Sequence, residues 1–555
     1  MRIFFLLLLT SSAFAQNPPP LPAPLEPPID PVGNESNPDK IMLGKILYWD
    51  EQLSSTKTVA CASCHIMSVG GTDPRSNINN VASKNPGFDG LFNTNDDIIG
   101  SPGVTETNAS GDYQFNPVFG YFSQVTSRKS PSVINSGYAS ELFWDGRAKD
   151  QLIDPVTNQV ILNSGAALES QVLGPPTSTA EMAHIGRTWE DVINSIEQAS
   201  PLALSPLASA DVLDWIGTNS YYQLFERVFG STEITASRIA MSIASYERSL
   251  YSNQTPFDEF LNGNVNALTQ QERWGFGVFG ASQCIGCHSN AILSDNIYHN
   301  IGVSQNNEDA GRFDVTGLIQ DRGKFKTPPL RNLENRTTFM HNGVFSSLEQ
   351  VVDFYIRGGD FDNPNLDPRI VPLNLNQNQR AELLSFLKRP LTDLRVINET
   401  GPFESPLLYS ESDRLPIITG AGVSGSGGKT PTLYVNQPPL LGNKNFTIAV
   451  DNTLADAQSI FIVSHVDPGL DALPTEEGSL IYVTKTLISN NQDGIGSISI
   501  ELPNQQSYNG QTLYGRWYVQ DSQAEKGYAI SPLLQFTLFK PEYGHAGQIF
   551  SSSFD

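Results

Sequence analysis

Beyond its first few residues, this 555-residue chain has no apolar run of the roughly 18 residues that a membrane-spanning helix takes. Basic residues are scarce: 34 Lys and Arg against 58 Asp and Glu leave a net charge of −24. That balance argues against a nucleic-acid partner, because phosphate binding takes clustered cations. A cationic partner and plain colloidal solubility both agree with the sign. Cysteine is nearly missing, with four in all, so no extended disulfide framework is available. Disorder is excluded by 39% hydrophobic and 17% charged residues. A chain this long exceeds one core, so two or three domains are expected.

The N-terminus reads as a signal peptide over residues 1–15. Met1-Arg2 supplies the positive start, Ile3 to Leu9 the apolar run, and Ala13-Phe14-Ala15 the small-residue cleavage site before Gln16. No Cys follows that site, so a lipid anchor is not indicated. The expectation is an exported protein, periplasmic or extracellular. Residues 16–37 are Pro-rich and read as a leader with little structure of its own.

From Pro38 to about residue 397 the pattern is helix and loop. Ile239, Ala240, Ile243, Ala244 and Leu250 have helical spacing within 234–251, and 377–387 reads as an amphipathic helix stopped by Pro390. A long Gly/Asn/Asp-rich loop runs from Arg75 to Arg128, and its length marks it as a functional candidate. Residues 398–430, with Gly420, Gly422, Gly425, Gly427 and Gly428, read as a flexible linker. Over 431–541 come six β-prone runs: 446–450, 459–464, 480–484, 497–502, 513–520 and 533–539. Their spacing predicts an all-β, sandwich-like accessory domain, with 542–555 as a tail. His465 and His545 read as ordinary polar residues there.

All four cysteines fall in two identical signatures, Cys61-Ala62-Ser63-Cys64-His65 and Cys284-Ile285-Gly286-Cys287-His288. Cys-x-x-Cys-His is the attachment signature of c-type haem: the thiols bond the vinyl groups and the His is placed to ligate iron. A four-Cys zinc site or a redox dithiol would also use paired cysteines, but neither requires a His directly after each pair. Two covalent haem c groups are therefore expected, with His65 and His288 as iron ligands.

The sequence over about 38–397 resembles the di-haem cytochrome c peroxidase and MauG family. The stretches that carry the likeness are Leu43-Gly44-Lys45-Ile46-Leu47-Tyr48, Pro131-Ser132-Val133-Ile134-Asn135, Phe143-Trp144-Asp145-Gly146-Arg147 and Leu173-Gly174-Pro175 with Glu181-Met182. Phe325-Lys326-Thr327-Pro328-Pro329-Leu330-Arg331-Asn332 and Phe339-Met340-His341-Asn342-Gly343 complete it. The resemblance implies a mainly α fold of two cytochrome-c-like haem domains, 38–215 with the reactive haem and 216–397 with the electron-transfer haem. It also implies Trp144 between the haems, Glu181 as the distal carboxylate that shuttles the peroxide proton, and Gln171 as a distal amide. Without it, Trp144 reads as a packed core aromatic and Glu181 as a charge at a helix start. Lys326 matches a Lys of the MauG-type pattern beside the second haem. His299 and His341 take hydrogen-bonding or structural roles near that haem, and His184 is read as a surface residue.

Three departures matter. No His lies between His65 and His184, so unless Tyr121, Gln124 or Met67 substitutes, the first haem is expected to be five-coordinate. Tyr355 stands where typical peroxidases carry a Met ligand and MauG-like enzymes a Tyr; read alone it is a helix-face core residue. Lys129 stands where the family places an Asn ligand to Ca²⁺, so the inter-haem calcium is doubtful. Asp89, Asn93, Asn95 and Asp97 offer a second calcium clip, though an Asn/Asp turn suits them better. The expected function is MauG-like oxidation driven by hydrogen peroxide. The alternatives are a peroxidase fed by an electron-donor cytochrome and a non-catalytic electron-transfer cytochrome. An oxidisable protein or organic substrate is the other candidate partner, and the oligomeric state, homodimer included, is open.

Overall fold

The computed structural model describes residues 21–540 apart from 306–307, 436, 472, 474–478 and 490–492. The signal peptide, the start of the leader, the tail and His545 lie outside the described residues. Among the described residues, thirteen α-helices all precede residue 398, and the two larger sheets follow residue 416.

Helix Pro38–Trp49 starts on Asn37, whose side chain accepts from the Lys40 N–H at 2.9 Å, with Pro38 in the first turn. It crosses helix Ala236–Ser249 at Gly44, where an added Cβ would lie 1.9 Å from the Ser242 carbonyl oxygen. Backbone meets backbone there, so no side chain fits. The second half repeats the arrangement. Helix Gln270–Ala281, opened by a Thr269/Glu272 capping box, crosses helix Gln377–Leu387 at Gly275, 2.0 Å from the Glu382 oxygen on the same construction. Helix Pro38–Trp49 touches the Cys61–Cys64 turn, and helix Gln270–Ala281 touches the Cys284–Gly286 turn.

The first core joins Leu43, Ile46 and Leu47 to Tyr221, Phe225, Ile239 and Ile243. The division expected between 215 and 216 therefore falls inside a core, and the first unit runs to about Leu250. The apolar stripe of helix Ala236–Ser249 needs a buried partner, and helix Pro38–Trp49 supplies it. The second core centres on Phe257, Phe276, Phe279 and Phe386, with ring centroids 5.2 to 5.5 Å apart. Arg128 ties the units together, donating to Asp145 of the first (2.6 Å) and through two nitrogens to Asp309 of the second (2.7 Å each).

Residues 398–430 do not form the expected flexible linker. Val396, Phe403 and Leu408 finish the first core, and Leu407 N–H donates to the Leu207 carbonyl at 2.8 Å. The Glu51 carboxylate accepts from the Tyr409 and Ser410 N–H groups at 2.6 and 3.0 Å. Buried Tyr409 explains the docking, because it packs among Leu204, Leu440 and Phe539. Farther on, Ile417–Thr419 pairs with Leu533–Thr537, and Ser426 hydrogen-bonds Asp521.

All six predicted β runs are strands, and they form two sheets. One is ordered Thr432–Tyr434, Phe446–Thr453, Gly494–Ile500, Leu487–Ile488. The other is ordered Leu480–Lys485, Gln458–Ser464, Thr512–Gln520, Leu533–Thr537, Ile417–Thr419, with Tyr528–Ile530 as a side branch. Phe446, Ile448 and Val450 of the first meet Phe461, Trp517 and Phe536 of the second in one core, as in a sandwich. The loop from 75 to 128 is partly ordered too: Pro102–Thr105 pairs with Ser123–Val125.

Candidate functional site

Each attachment signature opens onto its own cavity. Cys61 to Cys64 form a single helical turn, and Cys284 to Gly286 a 3₁₀ turn, which presents both thiols and the next His toward one side. All four thiols are free of disulfides. His288 Nδ1 lies 2.9 Å from the Leu293 carbonyl, and His65 Nδ1 lies 3.2 Å from that of Gly71. Anchoring Nδ1 on a carbonyl fixes the ring and turns Nε2 toward the role of ligating nitrogen, although at His65 the Ser130 hydroxyl stands 3.2 Å from both ring nitrogens. Burial lowers both imidazole pKa values, keeping them in the neutral form that binds metal.

The first cavity has a volume of about 430 Å³ and the second about 200 Å³, and both open to solvent. Cys61, Cys64 and His65 line the first; Cys284, Cys287 and His288 line the second. Two separate cavities, each with two thiols and one anchored imidazole, fit two thioether-linked haems; among the described residues the metal-capable grouping is Cys287 with Asp295 and His299, which takes one of the four cysteines and does not join the two pairs.

Trp144, Lys129, Pro131 and Ser132 line both cavities, so Trp144 stands in the wall between them. Its indole N–H donates to the Lys129 carbonyl at 2.7 Å. Glu181 and Gln171 line the first cavity. Desolvation raises the Glu181 pKa, opposed by Arg147 and a Ser178 hydrogen bond. None of the three candidate capping residues lines this cavity. Met67 is packed in the first core, Gln124 donates to the Thr179 carbonyl (2.9 Å), and Tyr121 packs against Tyr113, Phe115 and Tyr434.

In the second cavity Tyr355 lies on the same wall system as Cys284, Cys287 and His288, and burial pushes its phenol well up. Lys326 lines it as well; its ammonium donates to the Glu141 carbonyl at 2.7 Å, and burial pulls it down to about 8. His341 stacks on Phe325 at 3.6 Å and is held down at about 4 by burial. His299 is fixed between Asp295 (2.9 Å) and Asp367 (2.8 Å). His184 stays outside both linings, with Nδ1 2.9 Å from the Ile185 carbonyl.

The calcium implied by the resemblance does not fit. Lys129 is 3% exposed, and its ammonium reaches the Ser130 carbonyl at 3.3 Å. Burial brings it down to about 7, with Arg336 adding to the effect. In the 89–97 loop the acidic side chains accept from the loop's own N–H groups: Leu91 on Asp89 (2.7 Å), Phe88 on Asp96 (2.8 Å), Asn93 on Asp97 (2.8 Å). It is an Asn/Asp turn.

One residue escaped the reading of the sequence. Glu247 lines the first cavity, is 5% exposed, has an unpartnered Oε2 and is pushed up to about 8 by burial, with Glu169 contributing. Its signal was present: position 247 continues the buried stripe of 240, 243 and 244, where a carboxyl is out of place.

A family model described as di-haem cytochrome c peroxidase matches residues 38–266. The cytochrome c551 peroxidase of Nitrosomonas europaea is 30% identical over 397 residues, covering 70% of this chain and 90% of its own. The methylamine utilization protein MauG of Methylorubrum extorquens is 28% identical over 361 residues, 64% and 80% of the two chains. Among solved structures, a MauG-like protein associated with microbial copper homeostasis aligns at 25% identity and a TM-score of 0.49, covering 69% of this chain and 97% of its own. With two attachment signatures in two separate cavities and a 30%-identical relative matched over nine tenths of its length, this chain belongs to the di-haem cytochrome c peroxidase family.

Proposed function

We propose that this protein is an exported, hydrogen-peroxide-dependent di-haem oxidoreductase of MauG-like type. His65 would hold the reactive haem c, with no second protein ligand, and His288 with Tyr355 would hold its partner. The observation that carries the proposal is the contrast between the cavities: an acid and an amide face the first, while a tyrosine faces the second.

When bound, the haem at His65 supplies the redox chemistry that cleaves the O–O bond. Gln171 holds the peroxide by hydrogen bonding. Glu181 takes a proton from one peroxide oxygen and returns it to the other, which leaves as water. Desolvation suits it to both halves of that task, because a raised pKa makes a better base whose proton is still easily given back. Trp144, which lines both cavities, would bridge the two haems. Tyr355 would hold the second haem through its phenol oxygen, which burial alone keeps protonated and which iron would have to deprotonate; the resulting anionic ligand would favour higher oxidation states where a thioether would raise the potential. The reading with a donor cytochrome as reductant is favoured by the relative named cytochrome c551 peroxidase.

Low-temperature EPR of the oxidised protein tests the assignment. One high-spin and one low-spin ferric signal are expected, with Tyr355→Phe altering the low-spin signal alone. Two low-spin signals would refute the open first site.

A further inference from the structure

The segment that carries Glu181, residues 179–185, has neither helix nor strand of its own. It lies along the 102–105 strand. Val104 N–H donates to the Glu181 carbonyl at 3.0 Å, and Ile185 N–H to that of Thr107 at 3.3 Å. Gln124 holds the Thr179 carbonyl. At Gly103 the approach is so close that a Cβ would lie 2.2 Å from the Ala180 oxygen. Met182, after Glu181, is held separately by Ser55 N–H and Arg187.

The hairpin from 102 to 125 is thus the support for the acid, and its two ends, Ser101 and Thr126, enter the wall of the first cavity. A two-stranded hairpin with a tip this long is marginal in water without further packing. The packing comes from the β unit. Thr447 Oγ and Gln437 Nε2 both donate to the Gly111 carbonyl, at 3.0 and 3.2 Å, and Ser499 bonds the Asp112 carboxylate. Tyr434 lies 5.6 Å from Tyr121 and 5.2 Å from Phe122, ring to ring. Tyr121 is 5% exposed and sits over Ala449 of the sheet.

We infer that the C-terminal β unit is a clasp that holds the 102–125 hairpin and thereby positions Glu181 over the first haem site. Tyr434, Thr447 and Ser499 are positioning residues, acting through the hairpin. The inference rests on the reading of Glu181 as the distal acid for its functional half; the mechanical half stands by itself.

Hydrogen exchange on the full-length, haem-loaded protein tests the mechanical half. Tyr434→Ala is expected to speed exchange of the 103–107 and 179–185 amides about tenfold. Tyr434→Phe keeps the ring contacts and leaves those amides as they were. Helix Gln377–Leu387 in the second unit serves as the control and stays unchanged. Exchange that rises in the β unit while the 103–107 and 179–185 amides stay protected overturns the clasp. Should Tyr434→Ala unfold the β unit, the pair Thr447→Val and Ser499→Ala removes two hydroxyl contacts without emptying the core and is judged by the same two outcomes. Peroxide turnover tests the functional half. As water reaches the loosened carboxyl, the acid limb of its pH profile should move toward the ordinary carboxylate value. Faster exchange with an unmoved acid limb would support the clasp and overturn the role of Glu181.

Discussion

Arg128→Ala removes the side chain that bridges the two haem units. The guanidinium donates to Asp145 from one nitrogen and grips Asp309 with two others, at 2.6 to 2.7 Å. After the substitution Asp145 keeps Arg147 at 3.1 Å, whereas Asp309 keeps the Gly311 N–H. Stranding one partner of a buried pair costs about 3–5 kcal/mol. Side-chain exposures of 15% for Arg128 and 17% for Asp309 admit some solvent screening, so the low end, about 3 kcal/mol, is expected. For a unit of this size each kcal/mol lowers the melting temperature by about 2–4 °C, giving a drop of roughly 6–12 °C. Calorimetry of the haem-loaded protein at pH 7 measures it. Adding Asp309→Asn should recover most of the loss, because the orphaned charge is then gone. The sign with pH follows. Burial alone would push Asp309 up, but Arg128 holds it below the usual carboxylate value, so its contribution is complete above the ordinary pKa and lost as pH falls through the lowered one. A drop under about 2 °C, or no recovery with Asp309→Asn, would refute the reasoning.

Glu181→Gln should lower kcat/KM for peroxide by about 10² to 10⁴ while the haem absorption spectrum is unchanged, and the acid limb of the pH profile, where the carboxylate protonates, should disappear. Peroxide kinetics that match the unaltered protein would remove Glu181 from the mechanism. Dialysis against EDTA should leave the melting temperature within about 1 °C, since the Lys129 amine occupies the place of the expected calcium ligand and no ion needs to be released. A larger fall, reversed by added Ca²⁺, would show a bound ion that Lys129 does not replace.

What could be read ahead was whatever announces itself locally. The attachment signatures are contiguous, helix 377–387 has the bounds that its periodicity and Pro390 set, and each predicted β run is β-prone in composition and bounded by turn residues. The placement of Trp144 and Glu181 needed the family likeness, because a cavity wall has no sequence period. What escaped depends on partners far along the chain. Tyr434 and Tyr121 pair across more than three hundred positions, and neither neighbourhood hints at the other. The strand Ile417–Thr419 is exposed along its whole length, so no alternation marks it, and the glycines after it suggested slack where Asp521 and the sheet edge supply anchors. The misplaced division at 215 has the same origin: the signatures split the chain evenly, while the core follows the apolar faces of two helices.

The first unit also differs from the second in when it can be finished. Residues 257–391 contain the whole second core, so that unit closes as soon as its own stretch of chain has been made. The first unit waits for Val396, Phe403 and Leu408, and for Glu404, which pairs with Lys45. In a chain made from its N-terminus, the part that emerges earlier is therefore completed later, because the last side chains of its core arrive after the whole of the second core.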